Sequence, residues 1–294
     1  MVSEPNNTTL PRRILGRRLR ELREASNLSR ARAAQECEMG SQTLWRLESG
    51  RSSEVKKMVI NALCDLYRAG DEDRRVLIWL AQESRKDGWW QSYTDALVPD
   101  FEMFVGLEQS ARHIVSWQSV TLPGLVQAVG YRRAMWEVST ALDGAVDIER
   151  ELDLIAKRQE RLQDSANFSL DVFLSEAVVR HRIGTDRVMT EQLKRLLDVG
   201  TLPNVSIRVV RFDAPNHLGL IAKDFVYMEF PDHPNPTLNE SPVTYVEGFT
   251  GALYLDKESE VEQYRTACCA LEQVASDESE TRSLIEAIAK EYDA

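Results

Sequence analysis

No apolar run in the 294 residues approaches the roughly 18 that cross a bilayer, and the opening MVSEPNNTTLPRR lacks the apolar core of a secretory signal. The expectation is a cytoplasmic protein with no membrane partner. Cysteine is scarce: Cys37, Cys64, Cys268 and Cys269 show no CxxC or His/Cys ligand spacing, so neither a disulfide framework nor a zinc site is expected. The four read as small buried hydrophobes. Histidine is limited to His113, His181, His217 and His233, and none stands in a triad, metal-box or phosphate-loop context. Glu176 with His181, Glu108 with His113 and Glu247 beside Tyr245 are conceivable acid/base sets and the Arg180–Arg182 run a conceivable anion clamp, but none carries a motif. The reading is no catalytic residue, no metal and no cofactor. His113 reads as a core or boundary residue on a helical face, His217 and His233 as exposed loop tips, and Trp89, Trp90, Trp117 and Trp136 as core.

What is present is an uneven charge. The chain is 43% hydrophobic and 28% charged with a formal charge of -11. Residues 1–70 nevertheless hold thirteen Lys/Arg against eight acids, a balance of +5, and the remainder carries -16. A basic head can approach phosphate where an acidic body is repelled, so nucleic-acid binding is expected in the first quarter. The length allows about two domains.

Periodicity divides the head into a flexible tail over 1–11 and a five-helix domain over 12–86. Ile14, Leu15, Leu19 and Leu22 fall at helical spacing. Ser29 caps an Ala-rich second helix, and a third starts after Gly40 with Leu44 and Leu47 inward. A fourth, about Glu54 to Arg68, is read as burying Val55, Val59, Ala62 and Leu66, and a fifth, about Asp71 to Lys86, as burying Val76, Leu77 and Leu80. Residues 87–294 read as an α+β domain. Phe104, Leu107, Ala111, Ile114 and Val115 form one helical stripe, and Ile148, Leu152, Ile155 and Leu162 another. FSLDVFLS, VSIRVVRF, FVYMEF and VTYVEGF are strands, and helices cover about Arg187 to Leu197, Glu258 to Ala275 and Ser279 to Tyr292. The fold class expected is mainly α: a helix-turn-helix head, then a small sheet wrapped by helices.

The stretch LGRRLRELREASNLSRARAAQECEMGSQTLWRLESGR resembles the helix-turn-helix of the phage-repressor, or xenobiotic-response-element, family. That resemblance implies double-stranded DNA as partner, a homodimer, and a recognition helix over 41–48 in the major groove. It places Ser41, Gln42 and Arg46 toward the bases, with Trp45 beside them and Thr43 also on the DNA-binding face, and gives Arg30 and Arg51 to the backbone. It also makes Arg23 and Glu48 a structural ion pair. Gln pairs bidentately with adenine and Arg with guanine, so the residue types suit the role. Trp45 stands open between contacting DNA and packing on the protein. Further on, GWW, AKRQERL, VFLSEAVVRHRIG and VTYVEGFTGALYL resemble the C-terminal domain of actinobacterial WhiJ-like, antitoxin-like regulators, which implies a small partner protein as a possibility. Three readings follow: a dimeric transcription regulator, an antitoxin-like protein sequestering a small basic partner, and an enzyme with a DNA-binding head, the last the weakest.

Overall fold

The computed structural model describes residues 10–51, 55–85, 88–93, 99–143 and 147–292. They form two compact units, Met1–Ser110 with Asp232–Glu240, and Ala111–Pro231 with Ser241–Ala294. Mainly helical secondary structure and a sheet confined to the second unit match the expected fold class.

The first unit contains α1 (Leu10–Ala25), α2 (Arg30–Glu36), α3 (Ser41–Glu48), α4 (Lys57–Leu66), α5 (Asp71–Glu83) and α6 (Pro99–Ser110). Most of the tail expected over 1–11 lies outside the described residues, but Leu10 and Pro11 open α1. A proline in the first turn sacrifices no helical hydrogen bond, because those N–H groups have no partner inside the helix. Ile14, Leu15 and Leu19 of α1 pack with Ala33 and Ala34, Leu44 and Leu47, Ile60, Leu63 and Cys64, and Leu77, Leu80 and Ala81 in one core. The inward face of α4 differs from expectation: Ile60, Leu63 and Cys64 point in, and Ala62 is exposed. Val55 is buried ahead of that helix.

The unit that holds these helices extends beyond residue 86 through α6, and it also takes in nine residues from much later in the chain. Leu238, 3% exposed, is a member of the head's core. Beside it the Glu240 carboxylate meets Arg13 Nε at 2.9 Å and Arg17 Nη1 at 3.1 Å, and Arg17 Nη2 donates to the Asn239 carbonyl at 2.5 Å. His233 lies 6.1 Å from the Trp79 ring and accepts the Asn235 N–H at Nδ1; it is half-buried, not an exposed loop tip.

The second unit is built on a six-stranded mixed sheet in the order β3-β2-β1-β4-β5-β6. Its strands are β1 (His113–Gln118), β2 (Ser169–Ser175), β3 (Val205–Val210), β4 (Phe225–Glu229), β5 (Val243–Gly248) and β6 (Gly251–Leu255). The first three are mutually parallel, with α7 (Val129–Asp143) and α8 (Ile148–Gln159) between β1 and β2, and α9 (Glu176–Arg180) and α10 (Asp186–Val199) between β2 and β3. The last three form an antiparallel meander joined to β1 through β4. On one face Val115, Trp117, Phe173, Phe225 and Tyr227 pack under α12 (Glu258–Val274), through Val261, Ala267 and Leu271. α13 (Glu278–Tyr292) lies against β3 and α10. A short α11 (Gly219–Ala222) packs on α12, and the Trp117 indole donates to the Gly219 carbonyl at 3.1 Å.

Several expectations are corrected here. The stripe read as one helix from Phe104 to Val115 is a helix followed by a strand, since α6 ends at Ser110 and Ile114 and Val115 lie on β1. β1 is flanked by strands on both sides and buried on both faces, so its apolar residues run together and lose the alternation that marks a half-buried strand. His113 is therefore a strand residue. His217, read as a loop tip, is half-buried and stands edge-on to Trp117 at 5.6 Å. Of the tryptophans read as core, Trp90, Trp117 and Trp136 are buried and Trp89 is half-buried. Cys64 is buried, Cys37 and Cys268 half-buried, and Cys269 exposed, so Cys269 is not the interior residue expected.

Candidate nucleic-acid interface

The geometry of α3 follows from two glycines and one ion pair. Gly16 of α1 sits where a Cβ would come within 2.5 Å of the Leu47 carbonyl oxygen and 2.7 Å of that of Glu48, so α1 and the end of α3 touch backbone to backbone. Gly50 adopts φ +69°, the left-handed region that glycine enters without steric cost. Its N–H donates to the Leu47 carbonyl at 3.1 Å and that of Arg51 to the Arg46 carbonyl at 2.8 Å, which closes α3 with a Schellman turn. The Arg23 guanidinium reaches Glu48 through two contacts, Nε to Oε1 at 2.6 Å and Nη2 to Oε2 at 3.1 Å, with both residues buried. This is the ion pair the resemblance implied, and Glu48 hydrogen bonding holds the Arg23 pKa above its ordinary value.

With α3 so fixed, Leu44 and Leu47 face the core, and Ser41, Gln42, Thr43 and Arg46 are exposed. Trp45 is half-buried, and the exposed Arg51 carries its guanidinium 5.2 Å from the Trp45 ring centroid. The Schellman turn sends the chain back over the helix, which is what brings these two together. Arg30, the first residue of α2, is partly occupied: its Nε lies 3.2 Å from Glu48 Oε2 with 39% of the side chain exposed. Ser29 caps α2, its hydroxyl accepting the Arg32 N–H.

Much of the head's basic excess is engaged inside the unit. Arg12 is 2% exposed and donates to the Ser84 carbonyl at 2.7 Å, Arg13 and Arg17 meet Glu240, and Arg18 pairs with Asp73 at 2.7 Å. Arg20, Arg46, Arg51, Lys56, Lys57 and Arg68 remain exposed. Lys56 and Lys57 open α4 and are candidates for phosphate contacts that sequence reasoning entered only as charge; the available signal was a basic pair directly before an apolar helical run.

The acid and histidine sets weighed from sequence have other partners. Glu176 accepts from Arg180 Nε at 2.7 Å and from the Phe212 N–H at 3.1 Å, and His181 is exposed. Burial pushes the Glu176 carboxyl up, but these donors outweigh it and leave its pKa below the ordinary value. His113 Nε2 lies 2.9 Å from Asp171 and Nδ1 3.5 Å from Glu229, residues of the strands on either side. The Asp171 hydrogen bond raises the His113 pKa against the opposing effect of burial. Among the described residues no group of three or more His, Cys, Asp and Glu is placed to hold a metal, and no helix is long and apolar enough to cross a membrane.

None of the curated proteins and none of the solved structures matches the chain. Two family models do. Residues 14–77 match a Helix-turn-helix domain, which marks the head as the DNA-binding part of a regulator. Residues 101–287 match the Domain of unknown function (DUF5753), and the chain, with most of its length inside that match and the helix-turn-helix unit ahead of it, belongs to that family.

Proposed function

We propose that the protein is a cytoplasmic, dimeric, sequence-specific transcription regulator that lays α3 in the major groove, acting by binding and not by turnover. The observation that carries the reading is the run of exposed Ser41, Gln42, Thr43 and Arg46 on a helix whose orientation is locked by Arg23 and Glu48. Gln42 and Arg46 read base edges, Trp45 and Arg51 act as one stacked unit at the groove wall, and Arg30 holds phosphate. One such helix reads about four or five base pairs, too few to single out a site among roughly 10⁶ competitors, so two copies are held at fixed spacing on an inverted repeat. The C-terminal unit supplies assembly or senses a partner or effector, in the manner of the WhiJ-like group it resembles.

Gln42→Ala and Arg46→Ala are each expected to cost roughly 1–3 kcal/mol on the specific site and to change base preference, and Arg30→Ala to weaken all duplexes about equally. Equal losses on specific and random DNA for Arg46→Ala would remove its base-reading role. Sedimentation at micromolar concentration is expected to show at least a dimer. A monomer protecting one asymmetric site at full affinity contradicts the assembly.

The second reading, sequestration of a small basic partner, is favoured by the acidic balance beyond residue 70 and by exposed Phe212, Leu220 and Ile221 at 68%, 61% and 77%. Co-purification of a small basic protein with the full chain, lost in Ile221→Glu, is the outcome it requires.

A further inference from the structure

The turn Leu122–Ala128 that leads into α7 is fastened by three glutamines. Gln127 Nε2 donates to the Leu122 carbonyl at 2.6 Å, and Gln159 Nε2 to those of Gly124 and Gln127 at 2.9 and 2.8 Å. Gln192 donates to the Val126 carbonyl at 2.9 Å and accepts the Ala128 N–H at 2.6 Å. A turn held this firmly fixes the start of α7 and therefore the placement of Arg132.

Arg132 is not satisfied by what surrounds it. Its Nε is buried and has no hydrogen-bond partner, and the ion pair it makes with Glu151 of α8 is long, Nη2 to Oε2 at 3.9 Å. The guanidinium lies 4.3 Å from the Trp136 ring centroid, so the indole supports one flat face. Arg158, also on α8 and 4% exposed, packs so close to the turn that a Cβ at Gly124 would stand 3.1 Å from its Nη1. Burial lowers the Arg132 pKa, as does the neighbouring Arg158 charge, while Glu151 and Glu247 of β5 oppose this. The Glu151 carboxyl is pushed up to about 7 by burial, in spite of both arginines. A carboxyl whose neutral form is favoured by burial is a weak counter-ion. A cationic group drawn away from water needs acceptors for its N–H bonds, and a guanidinium on an aromatic face offers Nε and Nη in the fork that matches a carboxylate or a phosphate.

We propose that Arg132 on its Trp136 platform, together with Arg158, receives the carboxylate or phosphate group of a small anionic ligand, which takes over from Glu151 as the acceptor of the Arg132 N–H bonds. These side chains all belong to the C-terminal unit, so the proposal does not rest on DNA recognition. Arg132 keeps 28% of its side chain exposed and Glu151 13%, which leaves a way in from solvent.

The test uses the full chain at constant ionic strength, titrated with inorganic phosphate or citrate against chloride and followed by thermal melting. At least one of the two anions is expected to raise the melting temperature saturably. Phosphate alone doing so assigns a phosphate-bearing ligand, citrate alone a carboxylate, and both a general oxyanion fork. Arg132→Gln is expected to abolish the rise. Glu151→Gln, which removes the competing charge, is expected to keep it with half-saturation at a roughly threefold lower concentration. No rise beyond chloride with either anion overturns the proposal, as does a rise that survives in Arg132→Gln. Should Arg132→Gln fail to fold, an unchanged half-saturation in Glu151→Gln overturns it equally.

Discussion

Glu48 is the residue on which the head's geometry converges, since one carboxylate at 4% exposure accepts from Arg23 of α1 and Arg30 of α2 while itself riding on α3. Removing it strands a buried guanidinium. Glu48→Ala is expected to destabilise the head by about 3–5 kcal/mol, the range for breaking one side of a buried pair, read as a lower melting temperature. An unchanged melt would show that Arg23 finds other acceptors. Arg30→Ala removes only a half-exposed contact to the same carboxylate, so it is expected to leave the melt nearly unchanged and, on the proposed function, to act on DNA affinity. His113 gives a prediction with a sign. Its pKa is raised in the folded state by Asp171 and Glu229, so the folded protein binds a proton the unfolded chain holds less tightly. The stabilisation is fully present below the unfolded value of about 6.5 and is lost as pH rises through the folded pKa. His113→Gln is therefore expected to lower stability more at pH 5.5 than at pH 8.5, by roughly 0.2–1 kcal/mol for a pair this accessible. A gap between wild type and variant that widens with pH would remove the pairing.

Four successive helices of the head end in the same way. After α1, α2, α3 and α4 the chain passes through a residue of positive φ, namely Asn27, Glu38, Gly50 and Arg68. In each case the following N–H reaches back to the third residue from the helix end: Leu28 to Arg23, Met39 to Ala34, Arg51 to Arg46 and Ala69 to Cys64. Side chains other than glycine carry a steric cost in that conformation, about 1 kcal/mol or more. Glu38→Gly is accordingly expected to stabilise the head by about 0.5–1 kcal/mol, seen as a higher melting temperature, and a decrease would mean that Glu38 makes a compensating contact. These turns also explain what sequence could reveal. Gly50 announces its turn, and Ser29, the alanines of α2 and the leucines of α3 carried the helix-turn-helix pattern openly, because local spacing alone sets them. Glu38 and Arg68 announce nothing, since tertiary packing imposes the same backbone on residues with no preference for it. The sheet divided likewise: β2, β3, β4 and β5 were legible from β-branched and aromatic runs, whereas β1 was mistaken for helix because a strand covered on both faces has no period of two. The Asp171 and Glu229 neighbours of His113, and the Arg132 cluster with Glu151, come from separate elements that no spacing in the sequence relates.

At the scale of the molecule, the two-part charge of the sequence overstates the field at the DNA-binding surface, because Arg12, Arg13, Arg17 and Arg18 are engaged within the unit that contains them. Part of that engagement comes from residues 232–240, whose Leu238 completes the head's core. Leu238→Ala in the full chain is expected to lower the head's unfolding transition by about 2–5 kcal/mol and to leave the sheet unit's transition in place. A single transition shifted as a whole would show that the two units unfold together. The discontinuity of this unit also sets an order of events during synthesis. Leu238 follows the end of α5 by about 155 residues, so at roughly 5–20 residues per second a ribosome reaches it on the order of ten seconds or more after the head's helices have emerged. Through that interval the nascent head lacks one core side chain and has Arg13 and Arg17 without their Glu240 carboxylate. A chain cut short by premature termination anywhere in the sheet unit before residue 232 thus carries every element of a helix-turn-helix yet lacks its last core residue, which leaves a truncated head less stable than that of the finished protein.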